Sequence, residues 1–178
     1  MKTYIALIRG INVGGHNKLP MAELRRVLHL AGLSNVQTYI QSGNVIFKSN
    51  INDLKALETK ISNIISSNFE FEVPVIVKSP DAFKKILECC PFLPEEMEKS
   101  YFILLDRIPD KELVAEVSKM TFIDEQFQII KDCLYFHSAH GYGRTKFNMK
   151  TFEKKLQVVG TSRNYKTMLK LLALSRPE

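Results

Sequence analysis

Three segments of this chain carry the residue types that an anion site needs. The first is Arg9-Gly10-Ile11-Asn12-Val13-Gly14-Gly15-His16-Asn17-Lys18. Glycines let backbone N–H groups approach an anion, and a helix N-terminus beyond the loop adds partial positive charge. Gly10 and Gly15 have the spacing of a phosphate loop. His16 stands where that motif needs lysine, and no Ser or Thr follows for a metal ion, so this is not a Walker loop. A turn that needs glycine only for backbone shape is the plain alternative. The second segment, Gln41-Ser42-Gly43-Asn44, is by itself a hairpin turn. The third pairs Gly141-Tyr142-Gly143-Arg144-Thr145-Lys146 with Gly160-Thr161-Ser162-Arg163-Asn164. Each sets an arginine beside a hydroxyl just ahead of a helix, joining a bidentate donor to a helix N-terminus. Capping explains the Thr and Asn residues and leaves the two arginines without a reason.

Candidate ligand contacts are therefore Arg9, Gly10, Asn12, Gly14, Gly15, Lys18, Ser42, Asn44, Arg144, Lys146, Arg163 and Asn164. His16 is the single candidate general acid or base. A lone loop histidine is more often a hydrogen-bonding surface residue. No nucleophile elbow is present, and no residue pattern names a reaction. Cys133, His137 and His140 invite a metal ion. Cys133 to His137 reads as a strand, however, and four residues of strand span about 13 Å, too far for two ligands of one ion. No metal and no cofactor are expected.

Charge supports an anionic partner. From Arg144 to Glu178 there are nine Lys or Arg against two acids, a net of +7, while the remaining residues hold 16 basic and 17 acidic side chains. A cationic field at one end of a chain implies nucleic acid, an anionic small molecule or an acidic protein. At 178 residues, with 45% hydrophobic and 25% charged, the chain is globular. No apolar run reaches the roughly 20 residues needed to cross a bilayer, so no membrane role is expected. The N-terminus lacks a small-residue cleavage site and reads as no signal peptide. Three cysteines without framework spacing suit a reducing cytoplasm.

The elements that must position these residues follow from periodicity. Tyr4 to Arg9 is apolar on both faces and predicts a central strand. Pro20 starts a helix whose apolar positions are Met21, Leu24, Val27, Leu28 and Ala31, ended by Gly32. Val36 to Ile40 and Val45 to Phe47 predict a hairpin. Asn52 or Asp53 caps a helix striped by Leu54, Leu57, Ile61, Ile64 and Ile65. Val73 to Lys78, interrupted by Pro74, predicts an edge strand. The order is β-α-β-β-α-β, the split βαβ or ferredoxin-like unit: an antiparallel four-stranded sheet with two helices on one face. In that fold the third strand lies beside the first, which brings Asn44 near Arg9 and Gly10. The open sheet lacks the aromatics that base stacking would need.

The second half partly repeats the order. A connecting helix runs from Ser79-Pro80 to about Cys90, with Pro91 and Pro94 in the linker behind it. Tyr101 to Asp106 is a strand and Asp110 to Lys119 a helix. Phe122 to Ile130 and Cys133 to His137 form a hairpin turning at Lys131-Asp132. A helix spans Phe147 to Leu156, then an extended stretch near Val158-Val159, then a helix from Asn164 to Leu174. Lys146, Lys150 and Lys154 are expected on one helical face, and Arg163, Lys166 and Lys170 on another, opposite Tyr165, Met168, Leu169 and Leu172. The domains are thus 1–78, a linker 79–99, and 100–178, the whole being α+β.

Taken together, Arg9-Gly-Ile-Asn-Val-Gly-Gly15, Gln41-Ser-Gly-Asn-Val45, Gly141-Tyr-Gly-Arg-Thr-Lys146 and Thr161-Ser-Arg-Asn164 resemble a bacterial family of uncharacterised proteins, domain of unknown function 1697. The resemblance covers nearly the whole chain. It implies ferredoxin-like units and carries no activity, substrate or cofactor. Tyr165 stands where tryptophan is expected, and Cys90 precedes Pro91-Phe92 where asparagine is usual. The leading expectation is a cytoplasmic protein that binds a phosphorylated ligand, a nucleotide or phosphorylated metabolite, in a basic cleft between the two units. The alternatives are a non-catalytic nucleic-acid-binding module that uses the basic C-terminal helices, and a protein whose basic end docks an acidic partner.

Overall fold

A computed structural model describes residues 1–139 and 145–176. Among them, the chain divides into two compact units, one of Met1–Lys84 with Lys170–Glu178 and one of Lys85–Leu169. The sequence boundaries at 78 and 100 differ from these: Lys170–Glu178 groups with the first unit.

The first unit follows the β-α-β-β-α-β order. Its elements are β1 (Lys2–Ile8), α1 (Met21–Leu30), β2 (Ser34–Tyr39), β3 (Asn44–Ser49), α2 (Leu54–Phe69) and β4 (Val75–Lys78). The sheet order is β2-β3-β1-β4, with every pairing antiparallel. β1 is central because both of its faces are apolar. Tyr4, Ala6 and Ile8 join Val45, Phe47, Val75 and Val77 against Leu24 and Leu28 of α1 and Leu57, Ile61 and Ile65 of α2. Removing a fully buried ring such as that of Phe47 costs about 3–5 kcal/mol. Asp53 caps α2 by accepting from the backbone N–H groups of Lys55 and Ala56. β4 is an edge strand that begins only at Val75, after Pro74 and not across it, and Glu58 of α2 accepts from the Val77 N–H at 2.9 Å.

After α3 (Pro80–Glu88) and the short α4 (Pro94–Met97), the order repeats as β5 (Ser100–Leu105), α5 (Lys111–Val117), β6 (Glu125–Ile130), β7 (Cys133–Ser138), α6 (Met149–Leu156), β8 (Gly160–Asn164) and α7 (Tyr165–Leu174). The second sheet runs β6-β7-β5-β8, the same arrangement as the first. Registers correspond as well. Leu7 faces Asn44 in one unit and Leu104 faces Cys133 in the other. The Arg9 N–H donates to Pro74 O at 3.0 Å, and the Asp106 N–H donates to Val159 O at 2.9 Å. Each fourth strand is followed by a capped helix: Ser79 Oγ accepts from the Ala82 N–H, and Asn164 Oδ1 from the Thr167 N–H. The two halves are therefore the same topology used twice, although few residues are shared.

Several local expectations are corrected. Residues 122–124 are not strand, and β6 begins at Glu125. The extended stretch expected at Val158-Val159 continues as β8 through Asn164, so Arg163 lies in a strand and not in a loop before a helix. It cannot share a helical face with Lys166 and Lys170. Lys146 precedes α6, which starts at Met149 behind its cap Asn148, so the expected stripe through Lys146, Lys150 and Lys154 is not one helix face. Leu169 is 44% exposed, and Leu171 is buried in its stead.

Candidate functional site

The segment Gly10–Leu19 is a closed loop rather than an open lead into α1. Ile11 and Leu19 are buried and root its base. Its tip is a tight turn, Val13-Gly14-Gly15-His16, in which the His16 N–H donates to Val13 O at 3.1 Å. Gly14 and Gly15 have φ of 60° and 79°. Positive φ at both central positions is the two-residue hairpin geometry that favours glycine. A backbone bond from Asn12 N to Asn17 O at 3.1 Å and a side-chain bond from Asn17 Nδ2 to Gly10 O at 3.0 Å close the stem.

Asn12 ties this loop to the rest of the unit. Its φ is 54°, a conformation that asparagine tolerates better than most residues. Its Nδ2 donates to Leu19 O at 2.9 Å and to Gln41 O at 2.8 Å, and its Oδ1 accepts from the Leu19 N–H at 2.8 Å. The Gly10 loop and the Gln41-Ser42-Gly43 hairpin turn are thereby fastened together. Gly43 seats against the end of β1, where its carbonyl accepts from the Ile8 N–H at 2.7 Å. At φ 79°, a Cβ on Gly43 would lie 2.6 Å from Ile8 O, so no other residue fits without displacement. Asn44 is buried opposite Leu7, and its Nδ2 donates to Tyr39 O and Ser42 Oγ.

The structure therefore brings together Arg9, Gly10, Asn12, Gly14, Gly15, Lys18, Ser42 and Asn44 at one end of the first sheet, as the antiparallel pairing of β1 and β3 requires. Asn12 and Asn44 spend their amides on the scaffold. Of the basic side chains here, His16 and Lys18 are exposed and Arg9 is half-buried.

In the second unit, Arg144 lies outside the described residues. Lys146 is exposed, and its backbone N–H donates to Glu125 Oε1 at 2.8 Å. Arg163 is 8% exposed on β8. Its Nη1 donates to Thr161 Oγ1 at 2.9 Å and to Ser162 O at 2.7 Å. Burial holds its pKa down, to about 10, because a charged guanidinium is poorly solvated there. Asn164 is the helix cap already described. Lys155 meets Glu116 at 3.7 Å, an ion pair between helices that partly offsets the basic C-terminal charge. Cys133 and His137 sit on β7, as strand periodicity expects. Tyr135, between them on the same face, is 1% exposed and donates to Ile86 O at 2.8 Å. Its phenol is pushed far above its ordinary range, first by burial and then by the neighbouring Cys133, Cys89 and Cys90. The order of residues gave no sign of this buried hydrogen bond, because the two partners lie far apart in the chain.

The resemblance read from the motifs is now testable against known proteins. The sequence pattern of the family described as "Protein of unknown function (DUF1697)" matches residues 1–135. The chain belongs to that family. The fold agrees: a solved structure of a conserved bacterial protein from Streptococcus pneumoniae is 29% identical and superposes with a TM-score of 0.81, with 99% of each chain covered. No curated protein matches the chain. Among the described residues, no helix is long and apolar enough to cross a membrane.

Proposed function

We propose that this protein binds a phosphorylated small molecule, a nucleotide or phosphorylated metabolite, with the loop Arg9–Lys18 as its anion-receiving element. The observation that supports this reading is the Asn12 tether. Two hydrogen bonds between Asn12 and Leu19 close the loop on itself and a third, to Gln41 O, ties it to the hairpin turn, so its cations are carried on a fixed frame. A preorganised donor set loses less entropy on binding than a floppy one. The loop carries Arg9, His16 and Lys18, and no acid occurs in the sequence from Arg9 until Glu23. Ser42, on the tethered turn, adds a hydroxyl. The three cysteines, all free, accord with a reducing cytoplasm.

A thermal-shift titration tests this, with adenosine 5′-diphosphate and ribose 5-phosphate as probes and adenosine and ribose as uncharged controls. At 100 times its dissociation constant a ligand adds about 2.7 kcal/mol. Arg9→Ala and Lys18→Ala should each weaken the phosphorylated probe by roughly tenfold, the value of one charge-assisted bond. Phosphorylated and uncharged probes behaving alike would end the proposal.

The exposed lysines Lys150 and Lys154 on α6 and Lys166 and Lys170 on α7 favour a second reading, a nucleic-acid-binding module. Duplex affinity would then fall with salt at a log–log slope near −0.9 per neutralised phosphate. It would depend on these lysines and not on Arg9.

A further inference from the structure

The first unit has a second concave surface, at the other end of β1 from the Arg9 loop. It lies on the sheet face turned away from α1 and α2. Thr3 and Lys48 face each other across β1 and β3, and Gln37 faces Ile46 across β2 and β3, so Thr3, Gln37, Ile46 and Lys48 share that face. The C-terminal end of α7 and the turn after it, Ala173–Arg176, form the opposite wall. The cavity these residues line is open to solvent on one side and has a volume of about 400 Å³. That is within the roughly 300–1,000 Å³ typical of small-molecule sites.

Two features distinguish this cavity from an ordinary surface dent. The edge strand β2 breaks register between Ser34 and Gln37, and Asn35 adopts φ 49° there. Such irregularities re-aim side chains, and this one turns Asn35 into the cavity beside Gln37. Polar groups also converge without being used. Among the described residues, the side chains of Thr3, Asn35, Gln37, Lys48 and Arg176 have no hydrogen-bond or ion-pair partner. The described lining contains two cations and no acid. A second cavity of about 400 Å³ shares Thr3, Ser175 and Arg176 with the first and adds Lys2, Lys84 and Asp81. Among the described residues, the two adjoining cavities together carry four cations and one acid.

We infer that this groove is a binding site for a small organic anion. Lys48 and Arg176 receive its phosphate or carboxylate, Asn35 and Gln37 hydrogen-bond its uncharged polar body, and Ile46, Ala173 and Leu174 supply the apolar floor. The site is separate from the Arg9 loop: Thr3 and Arg9 are six residues apart on an extended strand, about 20 Å. It stands whether or not the loop binds a ligand.

The test is an NMR titration of the isotope-labelled full chain with adenosine 5′-monophosphate, a phosphate ester, and citrate, a polycarboxylate, with adenosine as the uncharged control. The expected result is saturable shifts at the amides of Thr3, Gln37, Lys48 and Arg176 with at least one of the two anions, and none with adenosine. The pair of arms identifies which anion the site prefers. Lys48→Gln with Arg176→Gln should weaken this binding at least tenfold, while the melting temperature stays that of the parent. Arg9→Ala should leave it unchanged. Shifts confined to residues 9–18, equal shifts with adenosine, or no loss in the double variant would each overturn the assignment.

Discussion

Replacing Asn12 tests whether the loop is held as described. Asn12→Ala removes two donated bonds and one accepted bond. Each is worth about 1 kcal/mol net, less for the solvated bond to Gln41 O and more where the Leu19 groups stay buried and unpaired. Alanine at φ 54° adds about 1 kcal/mol of backbone strain. The total is roughly 4 kcal/mol. Two companions separate the causes. Asn12→Gly keeps the positive φ without strain and loses the three bonds, and should cost about 3 kcal/mol. Asn12→Asp keeps the acceptor for the Leu19 N–H and loses both donors, which puts it between glycine and the parent. Urea unfolding followed by circular dichroism gives the three values. For a chain of this size each kcal/mol moves the melting temperature by about 2–4 °C. A change under about 0.5 kcal/mol in Asn12→Ala would refute the tether. So would glycine proving more harmful than alanine, because the left-handed backbone would then not matter.

Gly43→Ala should destabilise by more than about 3 kcal/mol, since its Cβ meets Ile8 O at 2.6 Å in a left-handed conformation, whereas Gly15→Ala, with open space around it, should cost only about 1 kcal/mol. Comparing the two melting curves checks this. Tyr135→Phe should cost about 1 kcal/mol at neutral pH for the bond to Ile86 O. Its pH dependence has a definite sign. The folded phenol holds its proton well above the ordinary value, so above about pH 10 the unfolded state releases a proton that the folded state keeps, and stability falls as pH rises, at up to about 1.4 kcal/mol per pH unit. Unfolding at pH 8 and pH 11 should show a smaller alkaline loss in Tyr135→Phe than in the parent, and equal losses would contradict the burial. Gly160→Ala should destabilise by about 1–3 kcal/mol through crowding against Ile103 at 2.9 Å, read as a lower melting temperature.

Much of the fold was legible because its signals are local. Asp53 before a stripe at Leu57, Ile61 and Ile65 announces α2, and Pro74 marks the edge strand. The unbroken apolar run through Ile8 marks β1 as central. The pairing of β1 with β3, which unites the Gly10 and Gln41 loops, followed from topology alone. The misreadings have physical causes. Gly160-Thr161-Ser162-Arg163-Asn164 is short and polar and reads as a loop, yet β5 pairs with it through Leu105, Ile103 and Phe102, and tertiary pairing overrides propensity. Gly10 and Gly15 have phosphate-loop spacing while Gly14 and Gly15 suit a tight turn, and the positive φ at 14 and 15 is that of the turn.

The sequence by itself determined the doubled β-α-β-β-α-β order, the family and the imbalance of charge, because periodicity, motifs and charge are properties of neighbours along the chain. Tertiary structure decided what the polar side chains do. Asn12 became a strut between two loops brought close by the β1–β3 pairing, and Asn44 a strut within the β2–β3 hairpin. Arg163 became a buried strand residue. Lys48 and Arg176, which are 128 positions apart, came to line one cavity. Contacts over such separations depend on how sheet and helix pack, and no local pattern encodes them.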